Sequence, residues 1–196
     1  MALALLVLPA SAGLAQSVPA GTAKNAVGVL VVVRTDGVEA RLQGRGAVRV
    51  FEGDVLRVEG QGKAFIEMDE RIQMALNGDS VVQVLSRWEK EHGLTRVLRL
   101  RRGEVWARIV DARRAVEIET PVGVLAARAA EVNMRLVSES EAVATVVTGT
   151  GEFSTPFATC ALRAGTTSFG HRSKACTPPA VTDVRTVIGW SRPLLP

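Results

Sequence analysis

From Val27 onward apolar and polar positions alternate in short runs, each closed by Gly, Asp or Asn. "VGVLVVVR" ends at "TDG", "VEARLQ" at "GRG", and "AVRVFEGDVLRV" is broken at Gly53-Asp54. "KAFIEM", "IQMAL" and "SVVQVL" follow, separated by "DER" and "NGD", and "LTRVLRLRR", "GEVWARIV" and "AVEIET" continue the series. Runs of this length, punctuated this regularly by turn residues, predict an all-β domain: a meander of short strands forming a sandwich, barrel or solenoid-like roll. The alternation places Leu56, Leu98, Leu100 and Val105 inward, together with either Phe65 or its neighbours Ala64 and Ile66. One short helix is expected near 86–93, in "SRWEKEHG", with Ser86 as cap and Gly93 as stop.

"TPVGVLAARAAEVNMRL", from Thr120, is ambiguous. Its Ala, Arg, Glu, Met and Leu residues favour helix, whereas Val124, Ala126, Val132, Met134 and Leu136 alternate as in strands. Thr120-Pro121 decides the matter, because proline holds the residue before it in an extended conformation. Two strands are expected, "VGVLAA" and "EVNMRLVS", with the bend at "RAA".

Residues 1–15 are uncharged and apolar and end in Gly13-Leu14-Ala15, the pattern of a secretory signal peptide cut before Gln16. The run is too short to span a bilayer, which takes roughly 20 apolar residues. Residues 16–26 are small and polar and read as a linker, 27–169 as the β domain, and 170–196 as a C-terminal extension in which "VTDVRTVIGW" is able to add a strand. The expected location is the periplasm. An oxidising compartment also fits the two cysteines, Cys160 and Cys176, in a loop-rich region. A Cys160–Cys176 disulfide would stabilise the fold by about 3 kcal/mol through the entropy of the closed loop.

The composition limits the choice of partner. With three Trp, five Phe and no Tyr, the chain is poor in the stacking platforms used on single-stranded nucleic acid, and no nucleic-acid partner is expected. The net charge of +4 is a slim excess of 24 basic over 20 acidic residues. Arg99 and Arg101 share a strand face opposite Leu98 and Leu100; they read as a solvated face or as a contact surface for an acidic polymer. Of Trp88 and Trp106, one fills core and the other is partly exposed; an exposed Trp88, beside Arg87, is the first candidate for a binding hot spot. These three, Trp88, Arg99 and Arg101, form the expected binding surface.

A catalytic set is not evident. His92 and His171 stand apart from any nucleophile signature, and no nucleophile elbow, zinc-protease motif or phosphate loop occurs. "GTGEF" reads as a hairpin glycine turn. Glu67, Asp69 and Glu70 crowd one turn and Glu139 and Glu141 another, with too few oxygen ligands for calcium; an acidic hydrolase centred on Glu67–Glu70 is the weakest alternative. No enzyme activity, cofactor or metal is expected.

Several phrases, in order, resemble the FecR domain of bacterial envelope proteins. "EGDVLRVEGQGKAFIEMDERIQMALNGDSVVQV", with Gly53 and Asp54, is similar to its opening segment. "VLRLRRGEVWARI", with Gly103, matches its glycine turn and strand, and "VEIETPVGVLAARAAEVNMRL", with Thr120 and Pro121, its Thr-Pro strand pair. "ATVVTGTGEF" and "CALRAGTTSF" follow in the expected places. Where the family carries Arg-Gly-Thr-x-Phe, this chain has Arg128-Ala129-Ala130-Glu131-Val132. The resemblance implies a roll-like β module that binds a protein or envelope polymer. Known members read the state of an outer-membrane siderophore receptor beside an anti-sigma segment, which implies as an alternative a part in iron-responsive surface signalling with a separate membrane regulator.

Overall fold

The computed structural model describes residues 18–68, 71–89, 93–111, 113 and 115–195; the expected signal peptide lies outside them. Among its described residues the chain forms thirteen strands: β1 (Pro19–Val33), β2 (Glu39–Phe51), β3 (Val55–Val58), β4 (Lys63–Met68), β5 (Ile72–Leu76), β6 (Val81–Glu89), β7 (Gly93–Ile109), β8 (Ala115–Glu119), β9 (Val124–Ser138), β10 (Glu141–Ser154), β11 (Thr159–Arg163), β12 (Thr166–His171) and β13 (Ala180–Val181). A five-residue helix α1 (Val184–Ile188) and a 3-10 turn (Arg192–Leu194) end it. The class is all-β, as the alternation predicts.

Six strands close on themselves. β1 pairs with β3 and β4, β3 with β6, β4 with β5, and β5 and β6 both with β7. A closed barrel leaves those strands no free edges. β7 is long enough to serve twice: residues 95–99 run parallel to β8, and residues 103–108 pair antiparallel with β9. From there the sheet extends through β9 and β10 to β11, β12 and β13. The expected inward residues Leu56, Ala64, Ile66, Leu98, Leu100 and Val105 are all buried in one core. Phe65 is buried as well, on the other side of the sheet. There it packs with Ala75 and Trp106 beneath Ile188 and Leu194 of the C-terminal segment.

Four expectations change. Residues 86–89 are strand, not helix, and 90–92 lie outside the described residues. The Ser86 hydroxyl caps nothing; it accepts from the buried Arg96 guanidinium at 2.7 Å and donates to Glu52 at 3.0 Å. The supposed linker is strand from Pro19, with Ala20, Ala23 and Ala26 buried. The 169/170 boundary falls inside β12, and the C-terminal extension lies on the sheet. Of "VTDVRTVIGW", only Val181, the end of β13, is strand, and Asp183 caps α1 by accepting from the Arg185 amide at 3.0 Å.

The stretch from Thr120 is resolved in favour of strand. The Thr120 hydroxyl accepts from the Val122 and Gly123 amides, so the turn runs to Gly123 and β9 starts at Val124. β9 then continues unbroken to Ser138. The bend at "RAA" exists as a kink within the strand, with Ala129 at φ +42°.

Candidate binding surfaces

The residues that carry the family resemblance are anchors. Gly53 turns the chain at φ +91°, where an L side chain is strained. Asp54, 1% exposed, accepts from the Phe51 amide at 2.8 Å and pairs with Arg34, whose guanidinium lies 4.8 Å from the Phe51 ring centre. Gly103 sits at φ +87° against Ser80, whose Cα would lie 2.6 Å from an added Cβ. Thr120 closes the turn described above, with Pro121 in it.

Arg99 and Arg101 do share an outer face, but not as free cations. Arg99 pairs with Glu119 at 3.0 Å and Arg101 with Gln83 at 2.8 Å, while Arg87 spans Glu117 and Glu119 at 2.9 and 3.2 Å. Two glutamates thus pair with Arg87 and Arg99, and Arg101 is held by a neutral amide. Trp88 is 77% exposed, yet alternation along β6 puts it on the opposite side of the strand from Arg87. The structure therefore brings Arg99 and Arg101 together and leaves Trp88 apart from them. Cys160 and Cys176 form the expected disulfide, with Cα atoms 6.3 Å apart.

The same face continues across β8, β9, β10 and β11, and there it holds residues that the sequence reading missed. Arg128, Thr150 and Arg163 align in register, as do Glu117, Ala126, Glu152 and Ala161 two residues further along each strand. Between the two rows lies a depression of about 400 Å³ floored by Ala115, Ala126, Ala127, Gly151 and Leu162. Arg128 and Arg163 are 35 residues apart in the chain, so only strand registration unites them.

A second surface lies on the other part of the sheet. Glu104, Arg135, Val143 and Phe169 are aligned across β7, β9, β10 and β12. Two adjoining depressions of about 330 and 350 Å³ share Arg135 and Val137 and make one groove. Val137 and Phe169 are 48% and 53% exposed in it. The Glu104 carboxylate is engaged elsewhere, accepting from the Asn77 and Asn133 side-chain amides at 2.8 Å each. Arg135 consequently has no acidic partner among the described residues. At the groove's rim the His171 ring nitrogen Nδ1 accepts from the Ser173 amide at 3.1 Å and lies 2.9 Å from its hydroxyl, a contact that closes a local turn. Of the acidic turn, Glu67 pairs with Lys24, and Asp69 and Glu70 lie outside the described residues. No helix among the described residues is long and apolar enough to cross a membrane.

No curated protein matches the sequence. Among solved structures, two crystal structures of a candidate anti-sigma factor from Parabacteroides distasonis are similar, each with a TM-score of 0.59 at 14% identity. The likeness covers 69% of this chain and 63% of that one, and at this identity it shows a shared fold alone. The family model described as FecR protein matches residues 54–151, half of the chain, from the buried Asp54 through Gly103, Thr120 and Pro121 to the β10 glycine Gly151. The chain belongs to the FecR family.

Proposed function

We propose that this chain is an exported FecR module of an envelope signalling system, that it works by binding a protein segment in the groove between Arg135 and Phe169, and that it carries out no reaction of its own. The groove is the observation that carries the reading. A half-exposed aromatic ring and a guanidinium without an acidic partner among the described residues, on paired strands beside an exposed valine, match the aromatic and arginine enrichment of interfaces. Rigid strands also spare a partner the ordering cost of mobile loops. Export is supported by the Cys160–Cys176 bridge, since disulfides persist in oxidising compartments.

A photo-crosslinking amino acid at position 169, introduced in living cells, tests the proposal. The expected result is a discrete protein adduct that disappears in the Arg135→Glu variant. Adduct formation unaffected by that charge reversal, or none at all, overturns it.

The second reading, a component acting with a separate anti-sigma regulator in iron-responsive signalling, is favoured by the fold shared with a candidate anti-sigma factor. It predicts that deletion changes the transcription of iron-uptake genes under iron limitation. Unchanged transcripts count against it.

A further inference from the structure

We infer that the depression between β8 and β11 is a second binding site, for a small zwitterion of dipeptide size that carries a free carboxylate and a free amine. Charge is arranged here in two rows of opposite sign. In one row Arg128 and Arg163 flank Thr150, and in the next Glu117 and Glu152 flank Ala126. Each arginine is thus diagonal to a glutamate, at a spacing of about 7–8 Å for such cross-strand pairs. Ion pairing across the diagonals would neutralise the face, yet among the described residues neither Arg128, Arg163 nor Glu152 closes an ion pair. Glu117 is held to Arg87 on its far side, away from the depression.

Small residues keep the space between the rows open. Ala115, Ala126 and Ala161, in the same two rows as the charged residues, stand where longer side chains would fill it. A volume of about 400 Å³ lies at the lower end of the range for small-molecule sites. Thr150, between Arg128 and Arg163 in the register of the strands, is exposed, and its hydroxyl is able to donate.

Two rows of opposite sign select a ligand of both signs. A phosphate or a simple carboxylate that approaches Arg128 and Arg163 also meets Glu152, and a simple amine meets the arginines. Such mixed fields discriminate by repulsion as much as by attraction. Adjacent same-face positions on a strand are roughly 6.6 Å apart. An extended dipeptide places its amine and carboxylate at a comparable separation, at about 3.3–3.6 Å per residue. Its carboxylate then lies between Arg128 and Arg163, where charge-assisted hydrogen bonds are strongest, and its amine beside Glu152.

The test is a titration of the mature, disulfide-bonded chain with alanyl-alanine, followed by amide NMR shifts. It is repeated with N-acetyl-alanyl-alanine and with alanyl-alanine amide. The expected shifts cluster at residues 126–128, 150–152 and 161–163, and capping either end weakens binding by roughly tenfold or more, as for the loss of one charge-assisted contact. In R128Q/R163Q the free acid and the amide bind alike; in Glu152→Gln the free and acetylated amines bind alike. Both variants change exposed positions, and their unfolding midpoints confirm the fold. The inference is overturned by the absence of shifts at about 20 mM, a concentration covering any millimolar affinity. Equal binding of capped and free peptides, or shifts confined to the Phe169 groove, overturns it as well. Because the two sites share no residue, either outcome leaves the crosslinking test independent.

Discussion

Ala129 of β9 and Gly149 of β10 meet inside a break in register, between the Glu131–Thr148 and Arg128–Thr150 pairs, both with left-handed backbones, at φ +42° and +78°. Gly149 cannot carry a side chain there, because a Cβ would lie 2.8 Å from the Ala129 carbonyl oxygen. Ala129 carries one at a position where L residues are strained by about 1–2 kcal/mol. Two compensating register shifts lie here: between Val146 and Thr148 β10 carries one residue more than β9, and between Thr148 and Thr150 β9 carries one more than β10, so the pairing is restored and one long hairpin follows the curving sheet.

Replacing Ala129 with glycine is therefore expected to stabilise the protein, by about 1 kcal/mol after the entropy of the added glycine is charged against the relieved strain. Gly149→Ala is expected to destabilise it by more than that, since backbone strain and a backbone clash act together. Urea unfolding midpoints of the two variants measure both effects. A lower midpoint for Ala129→Gly would show that the kink is not strained.

The kink also explains which parts of the fold were legible in the sequence. Where buried positions fall at every second residue, as at Leu56 in β3 and at Leu98 and Leu100 in β7, the period of two identified the inward residues; in β4 it left Phe65 and the pair Ala64 and Ile66 as alternatives, because both faces are buried there. In β1 the buried residues Ala20, Ala23 and Ala26 fall every third position, because register shifts interrupt the pairing with β2 and β4. Small side chains at a spacing of three carry no strand signal, and the segment read as a linker. The strand at 86–89 was obscured for another reason. Ser86 and Arg96 are polar residues turned inward at the end of the barrel, where they satisfy one another. Neither the Arg128–Thr150–Arg163 row nor the Arg135–Phe169 groove has a local signature, since both are assembled from distant strands by registration alone. The motif positions Asp54, Gly103 and Thr120 were legible because each performs its task within or beside its own turn.

Asp54 and Arg34 give the second prediction. Asp54 is buried and holds both the Phe51 amide and the Arg34 guanidinium. Asp54→Ala leaves a largely buried cation and an amide donor without a partner, a loss expected to cost about 3–5 kcal/mol. Arg34→Met in the same background removes the stranded charge and is expected to recover part of that loss. A double-mutant cycle on unfolding free energies checks the coupling, which is near zero if the pair is merely incidental.

The disulfide gives the third. Cys160 lies in β11, and Cys176, 7% exposed, lies within the loop between β12 and β13. The bridge closes a 16-residue separation. Its reduction is expected to lower the unfolding free energy by about 3 kcal/mol while leaving the far-ultraviolet circular dichroism of the strands in place at room temperature. Alkylation of the unreduced protein is expected to label neither thiol, and mass spectrometry reads the result directly.

The last prediction concerns how the C-terminal segment is held over Trp106. Trp106 is fully buried beneath Ile188 and Leu194, with its indole nitrogen donating to Glu131 at 2.9 Å. α1 is too short to be stable by itself and depends on its packing and on its cap. The Asp183 carboxylate accepts from the Thr186 hydroxyl at 2.9 Å and from the Arg185 amide at 3.0 Å, and these bonds, the hydroxyl foremost, hold its pKa below the ordinary aspartate value. A depressed folded-state pKa contributes stability that is present above the unfolded value of about 3.9 and is lost as pH falls through the folded value. In a protein whose Trp88 and Trp190 are replaced by Phe, acrylamide quenching of Trp106 is expected to be weak at neutral pH. It should rise as the pH drops below about 4, before the far-ultraviolet signal of the barrel changes. Asp183→Asn retains a neutral cap and is expected to flatten that rise; Asp183→Ala is expected to raise quenching at neutral pH. If Trp106 in Asp183→Ala remains as shielded as in the parent, the cap does not hold the segment, and its hold rests on the apolar packing of Ile188, Leu194 and their neighbours Val187, Trp190 and Leu195.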